Sequence, residues 1–422
     1  MSHDGGDMTT TEPVDRPRGA TNYSMNTVRF LAAFIVVIFH LRTLFIEDFG
    51  DATDQGVVTM GLYALLSLGH QAVIVFFVLS GYWVGGLVIN GLRRGTFNVA
   101  AYSSARLVRL WLVLLPALVL TFGLDSVGRV LHGGSDVYSG SAEYHSLLPA
   151  DGIATHTSWS AALGNATFLQ DVYVPTFGSN SPLWSLAAEF WYYLAFPAAL
   201  VLVWRGVSGR ARLIAAGVLV GAVVVIALGP AGGGRVLQLA PTWALGAAVA
   251  ALRPTIVTIV DRVGSARLLA GRIVLGVLVL AAMVVDSRVW STPTTYALAT
   301  VTALWLASLV TDVGTSWGRK VLAPTSWAAE WSYSLYATHL PVLALLAAVT
   351  VPNVGERWAL TPLTALGCVA LTTVPMGAAV LFYWLFERNT KTVRRALRGR
   401  AKVAHNDAAH DHQRAGVTGR TE

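Results

Sequence analysis

The chain has 422 residues, of which 54% are hydrophobic and 13% charged, and its mean hydropathy is +0.57. Soluble domains carry about 25% charged residues, so this composition excludes an ordinary soluble fold and indicates a polytopic membrane protein. The net charge of +7 does not indicate a nucleic-acid partner, because the basic residues lie between apolar segments and in the C-terminal tail. The single cysteine, Cys368, excludes an internal disulfide.

Apolar segments long enough to cross a bilayer recur along most of the chain. A spanning helix needs about 20 mostly apolar residues, and several segments qualify only if an occasional polar residue is tolerated. The ten segments are residues 27–46, 62–91, 106–127, 183–204, 212–229, 235–252, 272–286, 293–310, 330–350 and 362–386. The sequence therefore predicts an all-α fold, a polytopic membrane helix bundle with about ten transmembrane helices.

Basic residues are distributed unevenly between the predicted connections. The connections on the side of the N-terminus hold clusters such as Arg93–Arg94, Arg319–Lys320 and the four basic residues from Arg388 to Arg395. The opposite connections hold only scattered arginines. This asymmetry predicts that both termini are cytoplasmic and that the protein is a multi-pass protein of the plasma membrane.

The chain divides into three predicted parts. Residues 1–23 form a polar cytoplasmic segment, residues 24–390 the membrane domain, and residues 391–422 a basic and polar tail predicted to be disordered. Residues 128–182 interrupt the membrane domain on the predicted outer side. Loops of this length are usually functional or disordered, so this one either covers an outer opening or is a solvated connector.

The first apolar segment carries two ionisable residues, Arg29 and His40. Eleven helical residues rise about 16 Å and turn about 20° beyond three full turns, so the two side chains share one face. Ionisable groups at such depth are costly and normally face a bundle interior or a water-filled cavity. In the purely structural interpretation, Arg29 is a topology anchor and His40 forms a hydrogen bond between packed helices. The shared face favours a functional pair instead.

The segment "NSPLWSLAAEFWYYLAFP" places Glu189 roughly 10 Å deep, close to the predicted depth of His40. A buried carboxylate beside a histidine can fix the tautomer and stabilise the imidazolium. We therefore predict that His40 is a catalytic group and that Glu189 supports it. The alternative is a glutamic acid that is protonated or paired for packing.

Other polar residues in the predicted spans are candidates for binding. Arg106 and Arg109 open the third span three residues apart, where they suit phosphate binding or serve only as topology anchors. Ser80, beside Gly81, equally suits close helix packing. The candidates for lining the substrate site are His70, Ser80, Trp184, Ser185, Tyr336 and His339. No metal site and no bound cofactor are predicted.

Five motifs occur in order: the Arg29–His40 pair, "FFVLSG", Arg106-x-x-Arg109, "LWSLAAEFWYYLAFP" and "SYSLYATHLP". Together they resemble acyltransferase family 3, a family of integral-membrane O-acyltransferases, over the whole predicted membrane domain. The resemblance implies that Arg29 and His40 are the essential pair, that Arg106 and Arg109 are the family's arginine pair, and that Glu189 is the acidic residue of the Trp-Ser-Leu motif. The run "AAEFWYYL" departs from the usual Glu-Gln-Phe-Tyr-like sequence, so the contacts next to Glu189 are not carried over.

The function implied by this resemblance is transfer of an acyl group, expected to be acetyl, from an acyl-CoA to a hydroxyl of a glycan or of a secondary metabolite. Arginines at a cytoplasmic mouth suit the phosphates of coenzyme A, and His40 suits a general base or a transient acyl acceptor. The alternative is a multi-pass transporter or flippase of lipid-linked or acylated substrates. The sequence shows no internal repeat and no paired broken helices of the kind that favour a transporter.

Overall fold

The computed structural model describes residues 21–145, 147–230, 233–311 and 316–397. Most of the predicted N-terminal segment and most of the predicted tail lie outside these ranges. The described residues are helical with loops and turns, and no strand occurs among them. In chain order the longer helices are α1 (Thr21–Phe45), α2 (Val57–Leu66), α3 (Gly69–Arg93), α4 (Val99–His132), α5 (Trp159–Ala166), α6 (Trp184–Val203), α7 (Gly209–Leu228), α8 (Gly234–Ala251), α9 (Arg253–Val260), α10 (Ser265–Val289), α11 (Thr292–Ser308), α12 (Ser316–Ala328), α13 (Ser332–Thr350) and α14 (Pro362–Leu385).

Eight helices in the described part of the chain are long and apolar enough to cross a membrane. Helices α8 and α9 add a ninth span if they are counted as one segment with a bend of 63°. Helix α11, which matches the predicted segment 293–310, has 17 residues. A bilayer offers the backbone no hydrogen-bond partners, so apolar runs of this length satisfy their own amides by forming helices. The predicted all-α multi-pass bundle is confirmed.

Polar side chains fix several helix starts where the chain enters the apolar bundle. Asn98 accepts a hydrogen bond from the amide of Ala101 at the start of α4, at 2.8 Å. The Ser208 hydroxyl caps α7 in the same way, and Thr361 forms a capping box with Thr364 at the start of α14. Each cap satisfies amides that a helix start leaves without an internal partner.

The predicted span 62–91 is wrong at its beginning. The chain forms the separate short helix α2, breaks at Ser67 and Leu68, and begins α3 at Gly69. A Cβ at Gly69 would lie 2.3 Å from the Phe39 ring, so a glycine is required where the start of α3 meets α1. The break places the next residue, His70, at the end of the bundle rather than inside a continuous helix.

Helix α3 is the central helix of the bundle and crosses α8 with the backbones in direct contact. A Cβ at Gly81 would lie 1.9 Å from the carbonyl oxygen of Trp243, and one at Gly246 would lie 1.9 Å from that of Val78. Small residues allow such close approach between membrane helices. Residues 81–85 form a π-helical turn, a local feature that is frequent at functional sites. The crossing fixes Ser80, which accepts a hydrogen bond from Trp243 Nε1 at 3.2 Å.

The two ends of the bundle differ. The end where α1 begins, which we call the arginine end, holds Arg29 and Arg109. The end where α1 stops, which we call the loop end, is covered by residues 133–145 and 147–183. This loop is folded into the structure, because Tyr144, Phe168 and Val172 are fully buried. It is therefore not a solvated connector.

Asp48, which follows α1, joins three segments at the loop end. Its carboxylate accepts hydrogen bonds from Arg42 at 3.0 Å, from Arg357 at 2.9 Å and from His145 at 3.0 Å. Partial burial raises the pKa of Asp48, but the hydrogen bond from His145 and the charges of Arg357 and Arg42 outweigh burial and hold the pKa below its usual value. The carboxylate thus fastens the end of α1 to the loop and to the connection between α13 and α14.

We predict that Asp48→Asn lowers the free energy of unfolding by roughly 1–3 kcal/mol, because it leaves the partly buried guanidinium groups without their charged acceptor. A carboxylate with a depressed pKa stabilises the fold above its usual titration range, and the contribution is lost as the pH falls through the folded pKa. The difference between wild type and variant in thermal unfolding should therefore be present at neutral pH and vanish in acid. Asp54→Asn is the control, since Asp54 is exposed and bonds to Thr59 and Gly56 in its own turn. Equal midpoints for Asp48→Asn and Asp54→Asn at neutral pH would contradict this role.

Candidate active site

The interior of the bundle near the loop end contains a pair of histidines. Nδ1 of His40, on α1, lies 2.7 Å from Nε2 of His339, on α13. The two rings are parallel within 3° with centroids 4.9 Å apart. Given the short nitrogen-to-nitrogen distance, they lie edge to edge in nearly one plane. Both residues are buried, with 8% exposure for His40 and none for His339.

A backbone carbonyl determines which nitrogens of this pair carry protons. Nδ1 of His339 lies 2.9 Å from the carbonyl oxygen of Leu335, one turn earlier in α13. A carbonyl can only accept, so this Nδ1 carries a proton, and Nε2 of the neutral imidazole is then an acceptor. Nδ1 of His40 must therefore donate to His339. In the neutral pair this leaves Nε2 of His40 unprotonated, and no hydrogen bond of that nitrogen occurs among the described residues.

Glu189 does not orient His40, contrary to the prediction from the sequence. Its carboxylate accepts a hydrogen bond from Tyr193 at 3.1 Å, and Ser80 lies 3.3 Å from the same tyrosine hydroxyl. The charges of Arg109 and Arg106 also act on Glu189. The partner of His40 Nδ1 is His339 instead.

The reason for this difference is where α6 begins. The residues before α6 enter the bundle, and the buried Asn180 donates to the carbonyl of Ala337 at 2.8 Å. Ser185 donates to the Tyr336 hydroxyl at 2.8 Å, so the first turn of α6 already lies level with the residues before His339. Glu189 follows Ser185 by four residues and stands about 6 Å further towards the arginine end.

The arginine end holds the predicted donor-binding residues. Arg29 donates to the carbonyl of Ala329, and its guanidinium lies 5.4 Å from the Trp83 ring centre. Arg109 lies 5.7 Å from the ring centre of Tyr333. Arg106, one turn before Arg109 on α4, interacts electrostatically with Tyr102, Glu189 and Tyr193. The structure thus brings the three arginines to one region of the interior.

Glu387, in a short turn after α14, is a residue of this region that the sequence analysis missed. It is buried and accepts hydrogen bonds from the amide of Ser334 at 3.1 Å and from its hydroxyl at 2.6 Å. The charges of Arg109 and Arg29 both act on it. The sequence could have indicated Glu387, because it is an acidic residue directly after the last apolar span, where the following residues are mostly basic or polar.

The remaining candidates divide between the loop end and the middle of the bundle. Trp184, at the start of α6, carries the Arg235 guanidinium over its ring at 4.7 Å. His70 packs against the Phe39 ring at 5.2 Å and is close enough to His40 for their charges to interact. Tyr336 and Ser185 lie with His339 at the loop end, whereas Ser80 lies in the middle of the bundle. Among the described residues, no group of three or more His, Cys, Asp or Glu side chains is arranged to hold a metal ion.

Comparison with known proteins identifies the family. Residues 22–383 match the acyltransferase domain of acyltransferase family 3. The acyltransferase MdmB of Streptomyces mycarofaciens is 28% identical over 209 residues, which cover 50% of this chain and 47% of that protein. An uncharacterized protein of Haemophilus influenzae is 25% identical over 134 residues, which cover 31% of this chain and 49% of that protein.

The chain therefore spans about half the length of the curated relatives that it matches. No solved structure matches it. The family match, in contrast, covers most of the chain. It includes His40 and His339, the arginines of the arginine end, and α14 up to its last two residues. The chain belongs to acyltransferase family 3 and is a multi-pass membrane protein.

Proposed function

We propose that the protein transfers an acyl group, with acetyl as the simplest case, from an acyl-CoA bound at the arginine end to a hydroxyl group that enters from the loop end. The observation that carries this proposal is the chain of hydrogen bonds from His40 through His339 to the Leu335 carbonyl. It supplies an oriented base with its free nitrogen in the interior. Membership in an acyltransferase family supports this proposal over the transporter alternative.

The arginine end suits the phosphates of the donor. Guanidinium groups bind phosphate through two parallel hydrogen bonds, and Arg29, Arg106 and Arg109 present three of them in one region. Their charges exceed those of the two carboxylates that face them, Glu189 and Glu387, so the region keeps a positive charge for an anionic donor. Arg29 and His40 are about 16 Å apart along one face of α1. An extended donor held by its phosphates at Arg29 would therefore present its thioester near His40.

The reaction then follows from the protonation pattern of the histidines. Nε2 of His40 takes the proton of the acceptor hydroxyl while the hydroxyl oxygen attacks the thioester carbonyl. The new carbon–oxygen bond forms and the carbon–sulfur bond breaks. Coenzyme A leaves as its thiolate, and the proton stays on Nε2 of His40. His339 does not touch the substrate. It keeps the proton of His40 on Nδ1 and stabilises the imidazolium that forms, which is the role of the third member of a catalytic triad.

His40→Ala and His40→Gln should both lower kcat by about 10²–10⁴-fold, because neither side chain can take the hydroxyl proton. The measurement is release of free coenzyme A from acetyl-CoA in the presence of an alcohol acceptor. His132→Gln is a matched control, since His132 lies at the last residue of α4 and outside the histidine pair. Near-normal turnover by a well-folded His40→Gln protein would exclude His40 as the base.

His339 should act through His40, which a pair of variants can show. His339→Leu removes the acceptor of the His40 Nδ1 proton and allows the wrong tautomer of His40. In serine proteases, a wrong tautomer of the catalytic histidine lowers kcat by about 10⁴-fold. We expect a fall of at least about tenfold in kcat with little change in donor KM. His339→Gln should recover part of the loss, because its amide oxygen can accept the same proton. If the leucine and glutamine variants have the same kcat, His339 serves packing only.

Arg109→Ala should raise the KM for acetyl-CoA by about tenfold or more, because it removes a charged phosphate ligand. Glu387→Gln should have the opposite effect and lower the KM for acetyl-CoA, since it removes a negative charge that competes with the donor for the arginines. The control is Arg129→Ala at the loop end of α4, where Arg129 is exposed and bonds to Thr157. An unchanged donor KM in Arg109→Ala would contradict donor binding at the arginine end.

A further inference from the structure

Several side chains at the loop end surround the approach to His40 but take no part in the mechanism above. The His70 ring lies between Phe39, at 5.2 Å, and Trp290, at 4.9 Å, where the indole stands almost perpendicular to it. His70 is nevertheless exposed, and it interacts electrostatically with His40 and with Arg235. These contacts place exposed side chains beside His40 at the loop end of the bundle. We call the group His70, Trp184, Arg235 and Trp290 the loop-end mouth.

Trp290 follows the last residue of α10, where its ring packs against His70 next to a buried hydrogen-bond network. Its backbone is in the left-handed region, with φ at 48°, which is unfavourable for a bulky residue. The amide of Trp290 donates to the carbonyl of Asp286 at 2.8 Å. The buried Asp286 carboxylate accepts hydrogen bonds from Gln71 at 2.9 Å, from Thr294 at 2.6 Å and from Thr295 at 2.9 Å. Gln71 is the neighbour of His70, so this network joins the Trp290 turn to the start of α3.

The other wall of the mouth carries a neutralised charge. Arg235, which is half exposed, lies 4.7 Å from the ring centre of Trp184 and 3.6 Å from the carboxylate of Asp171. The Arg235–Asp171 pair has no net charge, so the mouth offers hydrogen-bonding groups without attracting an anion. Two indoles with an arginine, a carboxylate and an imidazole suit a ring that has apolar C–H faces and several hydroxyl groups.

Building on the proposed function, we propose that the loop-end mouth is the acceptor subsite and that Trp290 is its specificity-determining residue. Trp290 stacks on the apolar face of an uncharged sugar ring, while Arg235 and Asp171 bind its hydroxyl groups. One hydroxyl is thereby directed past His70 towards Nε2 of His40.

The test is equilibrium binding of two probes, p-nitrophenyl β-D-glucopyranoside and the corresponding glucuronide, to the protein in lipid nanodiscs. The wild type should bind the glucoside more tightly than the glucuronide. Trp290→Ala should weaken glucoside binding about tenfold, and Trp290→Phe should retain most of it because the flat ring remains. Trp159→Ala is the matched control, since Trp159 is 85% exposed on α5 and lies outside the mouth.

Asp171→Asn is an independent arm that does not depend on the folding of the Trp290 variants. It releases the charge of Arg235, so the preference should shift from the glucoside towards the glucuronide. The subsite is overturned if Trp290→Ala binds the glucoside as Trp159→Ala does, or if Asp171→Asn leaves the preference unchanged. Tighter binding of the glucuronide by the wild type, or no binding of either probe, overturns the uncharged sugar as the acceptor class.

Release of free coenzyme A from acetyl-CoA, measured in parallel, separates this inference from the proposed function. If the probes bind with the expected pattern but the wild type releases no coenzyme A, the subsite stands and the proposed donor reaction fails. If the wild type acetylates the glucoside but Trp290→Ala leaves the glucoside KM and its binding unchanged, the reaction stands and the subsite fails.

Discussion

A single backbone carbonyl, that of Leu335, sets the positions of the protons in the histidine pair at the interior of this protein. It accepts the Nδ1 proton of His339, one helical turn later, and so makes the other nitrogen of that ring an acceptor. His40 must then donate from Nδ1, and in the neutral pair its Nε2 is left unprotonated. The protonation state of a residue on α1 is thus set by the geometry of α13, and any shift between these two helices would change it.

The rest of the bundle keeps this pair in place and makes a polar interior tolerable inside a membrane. Charged groups in an apolar medium are costly unless they are paired and hydrogen-bonded. The carboxylates of Glu189 and Glu387 face the arginines, and each accepts hydrogen bonds from hydroxyl groups. At the loop end the Asp48 carboxylate fastens α1 to the covering loop and to the connection that follows α13. The two helices that carry the histidines are therefore tied together outside the apolar region as well.

Much of the fold and part of the site were predictable from the sequence. Apolar runs predicted the helices, and helical periodicity correctly placed Arg29 and His40 on a common interior face. The pairing of Glu189 was wrong because the residues before α6 enter the bundle, a feature that a hydropathy pattern does not show. Glu387 was missed because it follows the last apolar run. Trp290, proposed above for acceptor binding, was not identified because its ring contact with His70 joins the end of α10 to the start of α3, which are distant in the sequence.

The most direct test of this account is the tautomer of His40, observed by nitrogen NMR on protein labelled with ¹⁵N-histidine in lipid bilayers, with His40→Gln used to assign the signals. Nδ1 of His40 should show the chemical shift of a protonated nitrogen and Nε2 that of an unprotonated one, with a coupling across the hydrogen bond to Nε2 of His339. A His40 ring that carries its proton on Nε2, or that shows no coupling to His339, would contradict the account, because the base would then face the wrong partner.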